Sequence, residues 1–189
     1  VNHSESRTVV FLDRDGTLNP DPGYISSLDQ FQFFPNALVA LQNLDDQEFA
    51  FIIVTNQSGI ARGKIKQENL DAIHRFIEDQ FEASGIPLLG VYVCPHHPDE
   101  GCRCRKPGTA LFERAAKDHS IELDRSYIIG DSEADIRAGK ALSMKTVLVR
   151  TGNGKLTERI LAQAMLEIDL SGNNLTDCID FIIGDKSSK

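Results

Sequence analysis

Apolar residues fall into short dense runs, separated by longer stretches where they recur every third or fourth position. The runs Thr8–Leu12, Phe49–Thr55, Gly90–Cys94, Ser126–Gly130 and Lys145–Val149 predict strands. Most are rich in β-branched residues, and all are too short for a buried helix. The stretches Asn36–Leu44, Gln67–Ser84, Thr109–His119 and Glu133–Ala141 predict helices. In the longest of these, Leu70, Ile73, Phe76, Ile77 and Phe81 share one helical face. Ser84-Gly85-Ile86-Pro87 then supplies a glycine and a proline, which stop a helix. Strict alternation of strand and helix predicts an α/β fold, a parallel sheet with helices on both faces.

Beyond Arg150 the pattern weakens. Thr151-Gly152-Asn153-Gly154 reads as a turn, Leu156–Leu166 as a helix, and Ser171-Gly172-Asn173-Asn174 as another turn. Leu175–Ile183 reads as a closing helix, with Asp185–Lys189 frayed. With no repeat, no linker and 189 residues, a single domain over 1–189 is expected. No inserted cap is visible, so the loops 18–34 and 94–107 must cover the site.

Composition narrows the class. A hydrophobic fraction of 41% and a charged fraction of 25% are those of a soluble globular chain. The net charge of −8 argues against non-specific nucleic-acid binding, since an acidic surface repels phosphodiesters. No apolar run reaches the roughly 20 residues of a membrane span. Val1–Arg7 is polar, without the apolar core of a secretory signal, and reads as a frayed terminus. The expectation is a cytoplasmic chain with reduced thiols.

Four groups of polar residues begin where strands end. Asp13-Arg14-Asp15-Gly16-Thr17 follows the first strand, and Thr55-Asn56-Gln57-Ser58 closes the second. Arg105-Lys106-Pro107 ends a cysteine-rich loop, and Gly130-Asp131 follows the fourth strand, with Asp135 four residues on. Asp131 and Asp135 are expected to share a helix face. Singly, each has an ordinary reading as a turn, a cap or a solvated charge. Together, at the carboxyl ends of strands where α/β sheets bind ligands, they predict a site.

This order resembles the haloacid dehalogenase-like phosphatases over about residues 8–150. The resemblance implies a Rossmann-like fold, Mg²⁺ and phosphoryl transfer through an aspartate. Oxygen ligands suit Mg²⁺, which removes the repulsion between a carboxylate nucleophile and an anionic ester. Metal binding is assigned to Asp13, Asp131 and the backbone carbonyl of Asp15. Asp13 is the expected nucleophile, forming an aspartyl-phosphate. Asp15 is the expected acid and then base. Lys106 and the Thr55 hydroxyl are expected to hold the phosphoryl oxygens. Asp135 is either a further acid or a group orienting Lys106 or a water.

The loop 94–107 carries Cys94-Pro95-His96 and Cys102-Arg103-Cys104, separated by five residues. Three thiols and an imidazole in so short a loop can close on one tetrahedral ion. Zn²⁺ on Cys94, His96, Cys102 and Cys104 is preferred over a disulfide, with His97 as the alternative to His96. Four protein ligands make such a zinc structural, bracing the loop that carries Arg105 and Lys106. Cys178 stands apart and reads as core.

The finer resemblance is to the histidinol-phosphatase-like branch. It implies a small sugar-phosphate partner: removal of the 7-phosphate from D-glycero-D-manno-heptose 1,7-bisphosphate, towards nucleotide-activated heptose. Carried over by position, Asp21, Pro22, Gly23, Tyr24, Thr55, Asn56, Gln57, Ser58, Arg105 and Lys106 would contact substrate. Arg105 is the natural fork for a second phosphate. The five-residue spacer keeps histidinol phosphate as the alternative substrate. A zinc module binding nucleic acid, or a nucleic-acid 3′-phosphatase, is disfavoured by the charge and by the lack of basic residues interleaved with aromatics.

Overall fold

The computed structural model describes residues 8–44 and 49–187. The polar segment 1–7 and the last two residues lie outside the described part. Six strands form one parallel sheet: β1 (Thr8–Leu12), β2 (Phe49–Asn56), β3 (Leu88–Cys94), β4 (Tyr127–Gly130), β5 (Lys145–Val149) and β6 (Leu170–Gly172). Their spatial order is β3-β2-β1-β4-β5-β6. The helices are α1 (Ala37–Gln42), α2 (Gln67–Ala83), α3 (Ala110–His119), α4 (Glu133–Ala141), α5 (Gly154–Gln163) and α6 (Leu175–Ser187).

The two faces of the sheet explain the dense apolar runs. In β1, Val10 and Leu12 join one core cluster with Ile73, Ile77 and Phe81 of α2 and Ile179 and Ile182 of α6. Val9 and Phe11 point the other way, to Leu111, Phe112 and Ala115 of α3. A strand covered on both sides needs apolar residues at every position, so it loses the period-two pattern of a half-exposed strand. The Phe11 and Phe112 rings meet edge to face, 5.2 Å between centroids. Truncating Phe11 to alanine would cost about 3–5 kcal/mol, a loss readable by denaturant titration.

Helix α2 buries Leu70, Ile73, His74, Ile77 and Phe81, the predicted stripe with one histidine added. Its end is set by Gly85, whose φ of 70° lets the chain reverse. The N–H of Gly85 donates to Glu82 O and that of Ile86 to Phe81 O. These paired bonds satisfy carbonyls that a helix end otherwise leaves open.

Three expectations require correction. Ser171-Gly172 is part of β6, not of a turn: Leu170–Gly172 pairs in parallel with Val147–Val149. Asp185 is not frayed, because α6 runs to Ser187 and Tyr127 Oη donates to the Asp185 carboxylate, which also pairs with Lys145. Asp131 does not share a helix face with Asp135. It stands before α4, whose N-cap is Ser132.

The sheet order decides where chemistry sits. The chain winds outward from β1 to β3, then returns to build from β4 to β6. The carboxyl ends of β1 and β4 therefore border the crevice where the order reverses, the binding position in open α/β sheets.

Candidate active site

Asp13 enters this crevice directly from β1, with its N–H donating to Ile129 O of β4 at 2.9 Å. Its Oδ1 accepts from the Arg14 N–H and from Lys106 Nζ, each at 2.8 Å. Oδ2 makes no hydrogen bond to the described residues, and the Asp13 side chain borders the cleft. Lys106 is buried, with its ammonium paired to two acids. Besides Asp13, it meets Asp135 Oδ1 at 2.6 Å and Val54 O at 2.7 Å. Burial alone would lower the ammonium's pKa, but Asp13 and Asp135 outweigh it and hold the group above the ordinary lysine range. Asp135 thus holds the Lys106 ammonium in a direct ion pair. Its other oxygen accepts from the Ser132 N–H and hydroxyl, closing the α4 cap.

Asp131 completes the acidic cluster. Carboxylate oxygens of Asp13, Asp131 and Asp135 lie within 4.8 Å of one another. Burial pushes Asp13 well above the usual carboxylate range; Lys106 pulls it back, while Asp135 and Asp131 push it further up. Asp131 is pushed up to about 6, again chiefly by burial. Three carboxylates against one ammonium leave two negative charges, which a hard divalent cation would match. The backbone around Asp131 fits such a role. A Cβ on Gly16 or on Gly152 would lie 2.2 Å from Asp131 Oδ2, and both glycines have positive φ. Only glycine lets both loops close on this carboxylate.

Asp15 is held differently. Arg14, fully buried, reaches its Oδ1 through Nε at 3.0 Å and its Oδ2 through Nη2 at 2.7 Å. Asn19 donates to Oδ1 at 2.9 Å and Gln57 to Oδ2 at 2.7 Å. The same Gln57 amide donates to Thr55 Oγ1 at 2.8 Å, leaving the Thr55 proton available to a ligand.

The remaining predicted contacts border a cleft of about 220 Å³ together with these acids. Asp21, Gly23 and Tyr24 form one wall; Pro22 is exposed and lies outside the lining. Gly59 brings Tyr24 close, since a Cβ there would meet the Tyr24 ring at 2.9 Å. Thr55, Asn56, Gln57 and Ser58 also line it, as do Arg105 and Lys106. Asn56 is also tied to the protein itself: its amide accepts from Lys106 N–H at 3.0 Å and donates to Lys106 O at 3.2 Å. Arg105 Nη1 is buried without a hydrogen-bond partner, a donor left for something in the cleft.

The cysteine loop closes as a compact cluster. Cys94 Sγ lies 3.6 Å from both Cys102 Sγ and His96 Nδ1, and Cys104 Sγ lies 3.3 Å from Cys94 Sγ and 3.1 Å from His96 Nδ1. Tetrahedral zinc, with Zn–S of about 2.3 Å, sets its ligands about 3.8 Å apart, so this donor set fits. His97 turns away. Its ring accepts from Asp99 N–H and caps the short 3₁₀ turn at 98–100.

One part of the site, the loop after β5, carries no chemical motif in the sequence. Asn153 N–H donates to Asp131 Oδ2 at 2.7 Å, and Thr151 Oγ1 donates to Gly16 O at 2.6 Å. Its signal was placement: like the other motifs, it follows the carboxyl end of a strand.

Comparison with known proteins adds independent support. A family model described as HAD-hydrolase-like matches residues 103–178. A D-glycero-beta-D-manno-heptose-1,7-bisphosphate 7-phosphatase of Haemophilus ducreyi is 38% identical over 184 residues, covering 93% of this chain and 98% of the relative. The enzyme of that name from Yersinia pestis is 37% identical over 92% of this chain and 94% of its own. A crystal structure of D,D-heptose 1,7-bisphosphate phosphatase from B. bronchiseptica, complexed with magnesium and phosphate, superposes with a TM-score of 0.85 at 31% identity, covering 94% of this chain and 99% of that one. These likenesses favour the heptose enzymes over the histidinol-phosphate alternative. The chain is a phosphatase of the haloacid dehalogenase-like group and belongs to the family of heptose bisphosphate phosphatases.

Proposed function

We propose that the chain removes the 7-phosphate of D-glycero-D-manno-heptose 1,7-bisphosphate and releases heptose 1-phosphate and inorganic phosphate. The observation that carries this reading is the relatives' near full-length likeness, joined to a cleft that sets an unpaired Arg105 donor beside the carboxylate cluster. A bisphosphate needs a cation for the phosphate that is not cleaved, and a guanidinium can bind it through two parallel bonds.

Asp13, Asp131 and the backbone carbonyl of Asp15 would hold Mg²⁺, which supplies electrostatic screening between the ester and the acids. Asp13 Oδ2 attacks phosphorus as the bond to the sugar oxygen breaks, giving an aspartyl-phosphate. Asp15 gives its proton to the departing sugar oxygen. It then takes a proton from the water that attacks the same phosphorus and frees Asp13. The Lys106 ammonium and the Thr55 hydroxyl stabilise the phosphoryl oxygens as charge moves onto them. Zn²⁺ on Cys94, His96, Cys102 and Cys104 would brace the loop that positions Arg105 and Lys106.

A panel of phosphate esters tests the substrate. With Mg²⁺ present, kcat/KM for an anomer of the heptose bisphosphate should exceed that for histidinol phosphate and simple hexose phosphates by at least about 100-fold, the discrimination that a few buried polar contacts give. Equal or greater kcat/KM for histidinol phosphate would overturn the substrate assignment and leave the reaction class standing.

A further inference from the structure

Arg14 stands between the two functional acids, yet its side chain is fully buried. Its guanidinium divides between two partners. Nε and Nη2 grip the Asp15 carboxylate, and Nη1 meets His74 Nε2 of α2 at 3.2 Å. A guanidinium has only donors, so this contact requires the lone pair of a neutral imidazole. The surroundings of His74 agree: burial first, then the Arg14 charge, lower its pKa to about 4. His74 is the one polar side chain among the residues that α2 buries, beside Ile73 and Ile77. An apolar residue there would fill the core equally well but would strand Arg14 Nη1 without an acceptor.

The two oxygens of Asp15 together accept from Arg14, Asn19 and Gln57. Gln57 lines the cleft, whereas Asn19 and the Arg14 guanidinium are fully buried, and only Arg14 grips the carboxylate as a planar two-pronged fork. The direction of that fork therefore fixes the plane of the carboxylate, and His74 fixes the fork. A general acid must meet the leaving oxygen at hydrogen-bond distance in the transition state, and an error of about 1 Å can cost about 100-fold.

We propose that His74 is a positioning residue which, acting through Arg14, aims the Asp15 carboxylate for proton transfer to the leaving group. This rests on the acid–base role given to Asp15 above.

The test compares esters that do and do not need a proton on departure. p-Nitrophenyl phosphate expels a stable anion, whereas a sugar phosphate expels an alkoxide that must be protonated. Phosphoenzyme formation would be followed by rapid mixing, through the first-turnover release of nitrophenolate or of sugar, with Mg²⁺ and Zn²⁺ supplied. In His74→Leu the rate with the heptose bisphosphate should fall about 10- to 100-fold, part of what a general acid contributes. With nitrophenyl phosphate it should fall less than about three-fold, and KM for either ester should hardly move. His74→Gln offers an amide oxygen to Arg14 and should restore most of the lost rate. Arg14→Lys cannot grip Asp15 and reach His74 together, and should show the same selective loss. It keeps the test open should His74→Leu fail to fold.

Equal losses on both esters, in either variant, would mark a structural role and overturn the proposal. So would a folded His74→Leu protein with wild-type rates, or a folded His74→Gln protein no better than leucine. Wild-type protein that cleaves neither ester would remove the catalytic reading of Asp15 itself, a result distinct from any of these.

Discussion

Lys106 Nζ lies 2.8 Å from the carboxylate of Asp13, inside a protein where both side chains are almost wholly removed from water. The pair is half of a chain of charge that continues to Asp135 at 2.6 Å. An ammonium shared by two buried acids neutralises one of them and leaves the rest of the negative charge for a cation. Asp13, the proposed nucleophile, is thus restrained at one oxygen, while the other makes no hydrogen bond to the described residues.

Removing that ammonium should injure stability and rate together. Lys106→Met leaves two buried carboxylates without their partner, and breaking such a pair costs about 3–5 kcal/mol. Loss of a charged donor to the phosphoryl group should lower kcat by about 100- to 1,000-fold. Urea titration reads the first effect and steady-state kinetics the second. A Lys106→Met protein with unchanged kcat would contradict the role given to this side chain.

Gly152 predicts a metal-specific defect. In Gly152→Ala the new methyl would fall on Asp131 Oδ2, and the residue would retain a positive φ. The loop must shift away from Asp131, taking the Asn153 N–H with it. We expect half-maximal activation to need at least about 10-fold more Mg²⁺, the scale of disturbing groups that orient metal ligands. A magnesium titration of activity at fixed substrate reads this directly.

The acidity of the cluster sets a pH dependence. Asp13 and Asp131 are both raised, Asp131 to about 6. A raised carboxylate binds its proton more tightly in the folded protein, and Mg²⁺ needs the deprotonated form. Apparent Mg²⁺ affinity should therefore weaken as pH falls from 7.5 to 5.5, by up to about 10-fold per pH step for each acid below its pKa. The metal-free protein should behave oppositely. Because these acids bind protons more readily folded than unfolded, their burden on stability eases as pH falls through this range. Calorimetric Mg²⁺ titrations and denaturant midpoints of the metal-free protein at the two pH values check both signs.

If the proposed zinc braces the cysteine loop, its removal should act through that loop, not through the chemistry. Lys106 follows Cys104 by two residues, but Asn56 also grips its backbone on both sides. That second anchor limits the damage. A Zn²⁺-selective chelator should lower kcat/KM by about 10- to 100-fold with Mg²⁺ in excess, and added Zn²⁺ should restore it. Cys104→Ser should reproduce the loss.

Much of this was legible in the chain because its signals are local. Thr8–Leu12 is apolar at every position, and Asp13 and Asp15 follow at once, so strand and site come from one stretch. The His96 and His97 alternatives separated only in three dimensions, where His97 caps a turn and His96 faces three thiols. Strand β6 escaped because Ser171 and Gly172 carry turn propensity. Their pairing depends on the free edge of β5, and a side chain at Gly172 would collide with Cys178 Sγ at 2.8 Å. The Thr151–Asn153 loop escaped for a related reason. It works through a backbone N–H, an absent Cβ and one hydroxyl, none of which a residue pattern marks as chemical. Arg14 lies within a recognised motif, but its burial and its bond to His74, 60 residues away, belong to the fold.

The central claim is a covalent bond between Asp13 and phosphorus. Asp15→Asn protein, supplied with Mg²⁺ and p-nitrophenyl phosphate, should form that bond and then stall for want of a base. Acid quenching within the first turnovers, followed by peptide mass mapping, should find one phosphoryl group on the peptide that carries Asp13, and none in the Asp13→Asn, Asp15→Asn double variant. Nitrophenolate release with an unmodified Asp13, or with the label on another side chain, would contradict the account.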